Sequence, residues 1–401
     1  METLAASRII VSGTAARSGA SFMGVGLACE LKRRGLGLSV CVISPNLHQA
    51  IIYRRLIGRA VRCLDDRLLT PGQNLVAAYQ SSIGADLVLI EGAAGGLYDG
   101  SSPTSWRGST AEMAALIHAP VALVTDPRGY GNSLGALIRG YVECARDFEV
   151  GGVILNRVPL LEERKDQVRE QYDSIMQTFG MRPVLGMVPE LKSSVDLPTG
   201  SLRQDLNRTS LPRQFLVELT GLVNRYVDVD ALLTAAARAT EIRINDYDHR
   251  TTERRARIAV SDDSCFSLLF QDNLDLLRYY GAEIVTFSPL ADSALPRKVG
   301  AVYLSGAYLG EYGAEVAANT SMKDSIRDFA ENGGVLYSEG SGTAYLSKSF
   351  KTTSGETHEG VGVIKGAAVP NSGSFAYIDT VTVDESIFGR AGLIVKGVST
   401  G

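Results

Sequence analysis

Short apolar runs alternate with helix-length segments along the first half of the chain. Runs that are apolar at nearly every position are typical of parallel strands covered by helices on both faces. The segment from Ala20 to Arg34 has helical length, and Gly35 favours a stop there. The pattern therefore predicts a doubly wound α/β domain. The predicted strands are Arg8–Ser12, Leu38–Ile43, Ala85–Ile90, Val121–Thr125 and Gly152–Leu155.

A second alternation of the same kind begins at Ile258. Before it, residues 227–256 are charged and rich in arginine, with a predicted helix from Asp230 to Ile242, and we interpret them as a connector. We predict a nucleotide and substrate domain at 1–226, the connector at 227–256 and a second α/β domain at 257–401. The elements predicted in the second domain are the strands Ile258–Ser261, Glu283–Phe287, Ala301–Leu304 and Val335–Ser338, the helices Asp272–Tyr280 and Ser321–Asn332, and a β pattern at 376–383.

Chain length, net charge and the cysteine and histidine positions exclude several classes of function. A chain of 401 residues is long enough for two domains, and a net charge of −4 gives no basic face for nucleic acid. The beginning of the sequence lacks the pattern of a secretory signal, and no apolar run has the length of a membrane span. The five cysteines form no CxxC pair and the four histidines are scattered. We therefore expect a cytoplasmic protein with reduced thiols, without a zinc site and without a nucleic-acid or membrane partner.

A glycine-rich loop, GTAARSGAS at residues 13–21, follows the first strand and opens a helix. Backbone N–H groups and the helix N-terminus favour an anion at such a place. The best P-loop frame aligns residues 19–21 with Gly-Lys-Ser/Thr, so Ala20 replaces the lysine, while Ser21 could contact Mg²⁺ and Arg17 could supply positive charge. The alternative is an ordinary glycine turn before a helix. The candidate nucleotide or anion ligands in this loop are Gly13, Thr14, Arg17, Ser18, Gly19 and Ser21.

Several segments occur in the order and spacing of one known family. The motifs are EGAAGGLYDG at 91–100, GSTAEMA at 108–114, DPRG at 126–129, GVILNRV at 152–158 and FSPL at 287–290. Together they resemble cobyrinic acid a,c-diamide synthases of cobalamin biosynthesis, and the likeness extends from about residue 8 to 398. Because the order is shared, the chain is identified as a member of that family, although each motif alone is weak evidence.

The resemblance implies two enzyme domains. The first would have a dethiobiotin-synthetase-like P-loop fold, in which ATP and Mg²⁺ activate a tetrapyrrole carboxylate as an acyl phosphate. The second would have the flavodoxin-like fold of class I glutamine amidotransferases and would release ammonia from glutamine. The implied partners are a tetrapyrrole ligand and either a second copy in a homodimer or an active paralogue.

The resemblance also assigns roles to residues. Asn156 would contact adenine, and Glu91 would hold Mg²⁺ together with Ser21. The segment with Asp99 and Gly100 and the helix start at Ser109 and Thr110 would face the substrate carboxylate. Local explanations remain open, because Glu91 could be a strand-end charge, residues 99–100 a turn and residues 109–110 a helix N-cap.

The chain departs from the family pattern at chemically important positions. Besides Ala20, Asn46 replaces an aspartate that would bind Mg²⁺. Gly340 stands at the nucleophilic cysteine, and no histidine lies between His358 and Gly401. We therefore predict no catalytic residues for glutamine hydrolysis. Two hypotheses follow: a binding or partner protein of the tetrapyrrole pathway with a weakened ATP and Mg²⁺ site, or an ATP-dependent amide ligase that uses free ammonia or an ammonia-supplying partner.

Overall fold

The computed structural model describes residues 2–100, 104–159, 164–179, 183–190, 212–245, 253–370, 376–385 and 389–399. The chain divides into two compact units, one formed by Met1–Thr199 with Ser210–Tyr247 and the other by Gly200–Thr209 with Asp248–Gly401. None of the helices in the described ranges has the length and apolarity needed to span a membrane.

The first unit is built on a seven-stranded parallel sheet in the order β4-β3-β5-β2-β6-β7-β8, with helices packed around it. The predicted doubly wound fold is therefore confirmed. Its strands are β1 (Glu2–Leu4), β2 (Ser7–Gly13), β3 (Leu38–Ile43), β4 (Arg62–Leu64), β5 (Leu87–Gly96), β6 (Val121–Thr125), β7 (Val150–Val158), β8 (Val184–Pro189) and β9 (Ile242–Ile244). Its helices are α1 (Ala20–Arg33), α2 (Leu47–Ile57), α3 (Pro71–Ser82), α4 (Thr110–Leu116), α5 (Ser133–Cys144), α6 (Lys165–Thr178), α7 (Arg213–Tyr226) and α8 (Val229–Ala236).

The strand order reverses direction at β2. The chain places β5, β3 and β4 on one side of β2 and β6, β7 and β8 on the other. Loops that leave the carboxyl ends of strands on either side of such a reversal diverge and leave a crevice between them. The glycine-rich loop after β2 lies at this crevice, which is where ligands of such sheets commonly bind.

Residues 227–245 pack on the first unit. The predicted helix from Asp230 to Ile242 is shorter than expected and ends at Ala236, because the chain then runs on to β9, which pairs antiparallel with β1. The buried Arg8 side chain fixes this segment. Its guanidinium donates to the carbonyl oxygens of Ile117 at 2.6 Å, of Ala6 at 2.9 Å and of Thr240. Burial lowers the pKa of Arg8 to about 10.

The second unit has a smaller parallel sheet in the order β12-β10-β13-β15, the arrangement of a flavodoxin-like core. Two predicted strands, Ala301–Leu304 and Val335–Ser338, are confirmed at the same bounds. The strands are β10 (Ala256–Ser261), β11 (Phe266–Leu268), β12 (Ala282–Phe287), β13 (Ala301–Leu304), β14 (Gly306–Ala307), β15 (Val335–Ser338), β16 (Ser347–Lys351), β17 (Thr357–Glu359), β18 (Ile364–Ala368), β19 (Ala376–Val381) and β20 (Ile394–Ser399). The helices are α9 (Gln271–Tyr279), α10 (Leu309–Ala318), α11 (Thr320–Glu331) and α12 (Ser341–Leu346).

Candidate functional site

The glycine-rich loop of residues 14–19 joins β2 to α1 and is held from β7, which lies two strands away from β2 in the sheet. The Asn156 side-chain Nδ2 donates to the Ser18 carbonyl oxygen at 2.9 Å. Gly19 has φ 96°, and a Cβ there would lie 2.1 Å from Asn156 Nδ2. Glycine is therefore required at position 19 both by its left-handed backbone and by the close approach of Asn156. The loop is fixed before any ligand arrives.

Arg157 makes a second contact with the same loop. Its φ is 59°, and the register between β7 and β8 shifts between Asn156 and Val158. A bulge of this kind turns a side chain away from the regular strand alternation. The Arg157 guanidinium donates to the Arg17 carbonyl oxygen at 2.8 Å and pairs with Asp126 at 3.1 Å. Two consecutive residues of β7 thus hold two consecutive carbonyls of the loop.

A cavity of about 490 Å³ opens beside this loop. Three arginines and one aspartate give its wall an excess of two positive charges, and we call it the arginine cavity. Asp126 is paired with Arg128 at 2.8 Å as well as with Arg157. Although burial alone would raise the pKa of Asp126, hydrogen bonds from both arginines hold it below its ordinary value. The lining residues are Thr14, Ala15, Ala16, Arg17, Ser18, Thr125, Asp126, Arg128, Tyr130 and Arg157.

The second unit contains a sharp turn between β15 and α12. Gly340 is exposed and has φ 50° and ψ −129°, and a Cβ placed on it would meet no heavy atom within 4 Å. The next residue, Ser341, binds one backbone unit of β14 from both sides. Its Oγ accepts from the Ala307 N–H at 2.7 Å and donates to the Ala307 carbonyl oxygen at 2.5 Å. Glycine adopts this backbone conformation without strain, whereas a residue with a side chain, such as a nucleophile at a catalytic turn, would be strained here.

The comparisons with known proteins agree with this architecture. Residues 257–376 match the family of CobB/CobQ-like glutamine amidotransferase domains. The chain is 32% identical over 356 residues to cobyrinate a,c-diamide synthase of Archaeoglobus fulgidus, covering 87% of this chain and 75% of that protein. The chain belongs to the cobyrinate a,c-diamide synthase family. The synthase of Salmonella typhimurium is 30% identical over 97% of this chain and 84% of its own, and that of Syntrophotalea carbinolica is 29% identical over 97% and 84%.

The family resemblance implies Mg²⁺ near Glu91. The hydrogen-bond donors around the Glu91 carboxylate show whether a metal ion fits there. Glu91 is buried in β5, directly before the glycine-rich end of that strand. Its Oε2 accepts from the Tyr53 hydroxyl at 2.5 Å and the Gln49 side-chain amide at 2.8 Å, and the Ser21 hydroxyl hydrogen-bonds to it too. Burial raises the pKa of Glu91 against the lowering effect of these donors. Because Oε2 already accepts two hydrogen bonds, a metal ion there would have to displace protein donors, and these residues do not fit a preformed metal site.

Asn46 stands at the other position where the family resemblance implies a magnesium ligand, and its side chain also binds the protein itself. Asn46 caps α2, where its Oδ1 accepts from the Gln49 N–H at 3.3 Å. In the part of the chain that the structure describes, no group of three or more His, Cys, Asp or Glu side chains could hold a metal ion. Ser21, Gln49, Tyr53 and Glu91 form one hydrogen-bonded group, which we call the Glu91 cluster.

The residues predicted to face the substrate bind their own backbone. Asp99 Oδ2 accepts from the Gly96 N–H at 2.6 Å. Ser109 caps α4 by accepting from the Glu112 N–H at 3.1 Å, and Thr110 Oγ1 accepts from the Ala93 N–H at 2.9 Å. Ser109 and Thr110 are buried, and a Cβ on Gly100 would lie 2.2 Å from the Ser105 carbonyl oxygen. The Asp99 and Ser109 contacts match the local explanations, whereas Thr110 connects the start of α4 to β5. None of the four residues lines the arginine cavity.

Some of the residues predicted for the anion site lie together in the structure, and other residues lie beside them. Thr14, Arg17 and Ser18 line the arginine cavity, whereas Gly13, Gly19, Ser21 and Asn156 do not. Asn156 binds the loop, and Ser21 belongs to the Glu91 cluster. Sequence reasoning did not select Thr125, Asp126, Arg128, Tyr130 and Arg157 as site residues. The signal was present, because all five lie at or just beyond the carboxyl ends of predicted parallel strands, where ligands of such sheets bind.

Proposed function

We propose that this chain is a diverged family member that binds an anionic ligand of the tetrapyrrole pathway, or an active paralogue, without glutamine-dependent amidation. The observation that carries the proposal is the turn at Gly340. A glutaminase of this type needs a nucleophilic side chain at the turn and a base within hydrogen-bond reach. Gly340 offers no side-chain atom for attack, although the space around its Cβ position is open and its backbone has a form that would be strained for a residue with a side chain.

Ser341 is a poor substitute nucleophile. Its hydroxyl proton is donated to the Ala307 carbonyl oxygen, and its oxygen accepts from the Ala307 N–H. Attack on glutamine would break both hydrogen bonds. The same contact occupies a backbone N–H beside the turn, and the loss of one donor to a developing oxyanion typically lowers rates by about two to three orders of magnitude.

The arginine cavity supports the binding part of the proposal. Its volume of about 490 Å³ lies in the usual range of small-molecule sites. Arg17, Arg128 and Arg157 present guanidinium groups, which suit phosphate and carboxylate oxygens. Ala20 gives no ammonium for phosphoryl transfer. Binding is therefore better supported than chemistry.

The same cavity favours a second candidate, an ATP-dependent amide ligase that takes free ammonia or ammonia from a partner. In that case the arginines would take over the role of the missing lysine. This activity does not need Gly340 or Ser341, so it is independent of the turn in the second unit.

Two measurements on the purified full chain separate these candidates. Glutamate release from glutamine is measured with and without ATP, next to the Salmonella typhimurium synthase as the positive control. We expect no release above the blank, and sustained release would refute the loss of glutaminase. ATP-dependent amide formation with ammonia and a tetrapyrrole carboxylate is then assayed. Product formation would favour the ligase, whereas binding without product supports the proposal.

A further inference from the structure

The Glu91 cluster fills the place where a divalent cation would meet the carboxylate. Two of its donors converge on the same oxygen, Glu91 Oε2, from Tyr53 at 2.5 Å and Gln49 at 2.8 Å. Glu91 is only 5% exposed. Mg²⁺ requires ligand oxygens at about 2.0–2.1 Å in octahedral geometry and usually keeps several waters. A buried carboxylate oxygen that already accepts two protein hydrogen bonds would have to give them up to bind such an ion.

The cluster is accommodated by the neighbouring helix. A Cβ on Gly24 in α1 would lie 2.4 Å from the Tyr53 hydroxyl oxygen, and the Tyr53 side chain has no exposed surface. The ring could not move aside in such packing. The absence of a side chain at position 24 thus permits the Tyr53–Glu91 hydrogen bond, which indicates a built arrangement of the protein interior.

Arginine side chains, rather than a bound cation, supply positive charge near the glycine-rich loop. Arg17, Arg128 and Arg157 line the arginine cavity together with one acidic residue, Asp126. Glu190, which is not a lining residue, lies 3.5 Å from the Arg128 guanidinium. Arg157 is fixed by the Arg17 carbonyl and by Asp126, so its guanidinium is positioned before binding. Guanidinium groups are permanently charged and bind oxyanions with paired hydrogen bonds.

We propose that the arginine cavity binds oxyanion groups without a divalent cation, with Glu91 held as an internal hydrogen-bond acceptor and the arginines in place of Mg²⁺. This inference rests on the anion-binding part of the proposed function and names its chemistry. The oxyanion can belong to a nucleotide phosphate or to a tetrapyrrole carboxylate, and the experiment distinguishes these sources.

Calorimetry on the full chain tests the proposal with two probes, ATP and coproporphyrin, each in EDTA and in excess MgCl₂. We expect one probe to bind with the same Kd in both buffers, within about twofold, because metal and anion are not coupled. Arg17→Gln should weaken that binding by about tenfold or more, since a charge-assisted hydrogen bond is lost. Arg59→Gln, which removes a guanidinium bound to the Ile83 and Gly84 carbonyls away from the cavity, should leave Kd unchanged.

Variants of the cluster separate a packing role from a metal role. Glu91→Gln keeps an acceptor for Tyr53 and Gln49, so binding in MgCl₂ should be unchanged. A Kd that is about tenfold tighter in MgCl₂ and loses this gain in Glu91→Gln would overturn the inference while leaving anion binding intact. Binding of neither probe in any buffer would overturn anion binding itself. Tyr53→Phe should lower thermal stability more than Tyr345→Phe, because the buried Tyr345 hydroxyl has no partner among the described residues.

Discussion

Replacing Gly340 by cysteine restores a thiol at the turn, and the structure sets the cost of doing so. The added Cβ meets no heavy atom within 4 Å, so the cost is backbone strain at φ 50° and ψ −129° rather than a clash. Such strain costs about 1–3 kcal/mol. For a unit of this size the melting temperature should fall by roughly 2–12 °C.

Gly366 provides a matched control for the same substitution. It is exposed in β18, its Cβ position is also open, and its φ is outside the left-handed region. Gly366→Cys should therefore shift the melting temperature by no more than about 2 °C. The two variants are compared in a Cys144→Ser background, because Cys144 is exposed whereas Cys41, Cys63 and Cys265 are buried.

The functional outcome is measured by thiol labelling and by glutamate release. The new thiol at position 340 should react readily with a thiol reagent, since the glycine is exposed. Glutamine hydrolysis should stay at the blank, because Ser341 occupies the Ala307 N–H. Sustained glutamate release from Gly340→Cys alone would show that the hydrogen bond from the Ala307 N–H to Ser341 does not block hydrolysis. Equal melting temperatures for the two cysteine variants would refute the strain argument.

Three further outcomes are expected. Arg8→Met should destabilise the first unit by about 2–5 kcal/mol in urea denaturation, since three carbonyls lose a charged donor, whereas Arg59→Met should cost less than about 1 kcal/mol. Asn156→Ala should weaken anion binding by up to about tenfold in calorimetry, because the Ser18 carbonyl is released. The raised pKa of Glu91 means that the folded state keeps a proton that the unfolded state has lost. Unfolding free energy should therefore fall as pH rises above the ordinary value of 4.5, and Glu91→Gln should show a flatter profile.

The sequence predicted strands correctly where every residue of the strand is buried. The strands Leu38–Ile43 and Val121–Thr125 have every residue buried, so their composition alone marked both ends. The strand predicted at Gly152–Leu155 extends over Val150–Val158, because β7 continues into the bulge at Arg157. That bulge depends on pairing with β8, which is a non-local interaction that no pattern of apolar positions encodes.

The candidate site could be predicted only in part, because non-local contacts also determine which residues meet there. The loop of residues 13–21 is local in sequence, and its glycine spacing pointed to an anion site. The arginine cavity also needs residues more than a hundred positions away, brought together by the strand order. The occupation of Glu91 by Tyr53 and Gln49 depends on how α2 packs, and the engagement of Ser341 depends on where β14 lies. A sequence shows that such residues are present without showing what they contact.

The contacts of Arg8 determine how the chain can be cut for study. A fragment that ends at Tyr226, just before the composition changes, would discard β9 and leave β1 as an unpaired edge. It would also remove the Thr240 carbonyl that the buried guanidinium binds. A fragment carried through Asn245 keeps both. The C-terminal limit of a fragment that keeps the first unit whole is therefore set by a buried cation near its first strand. That limit lies fourteen to nineteen residues beyond the point that charge and composition suggest.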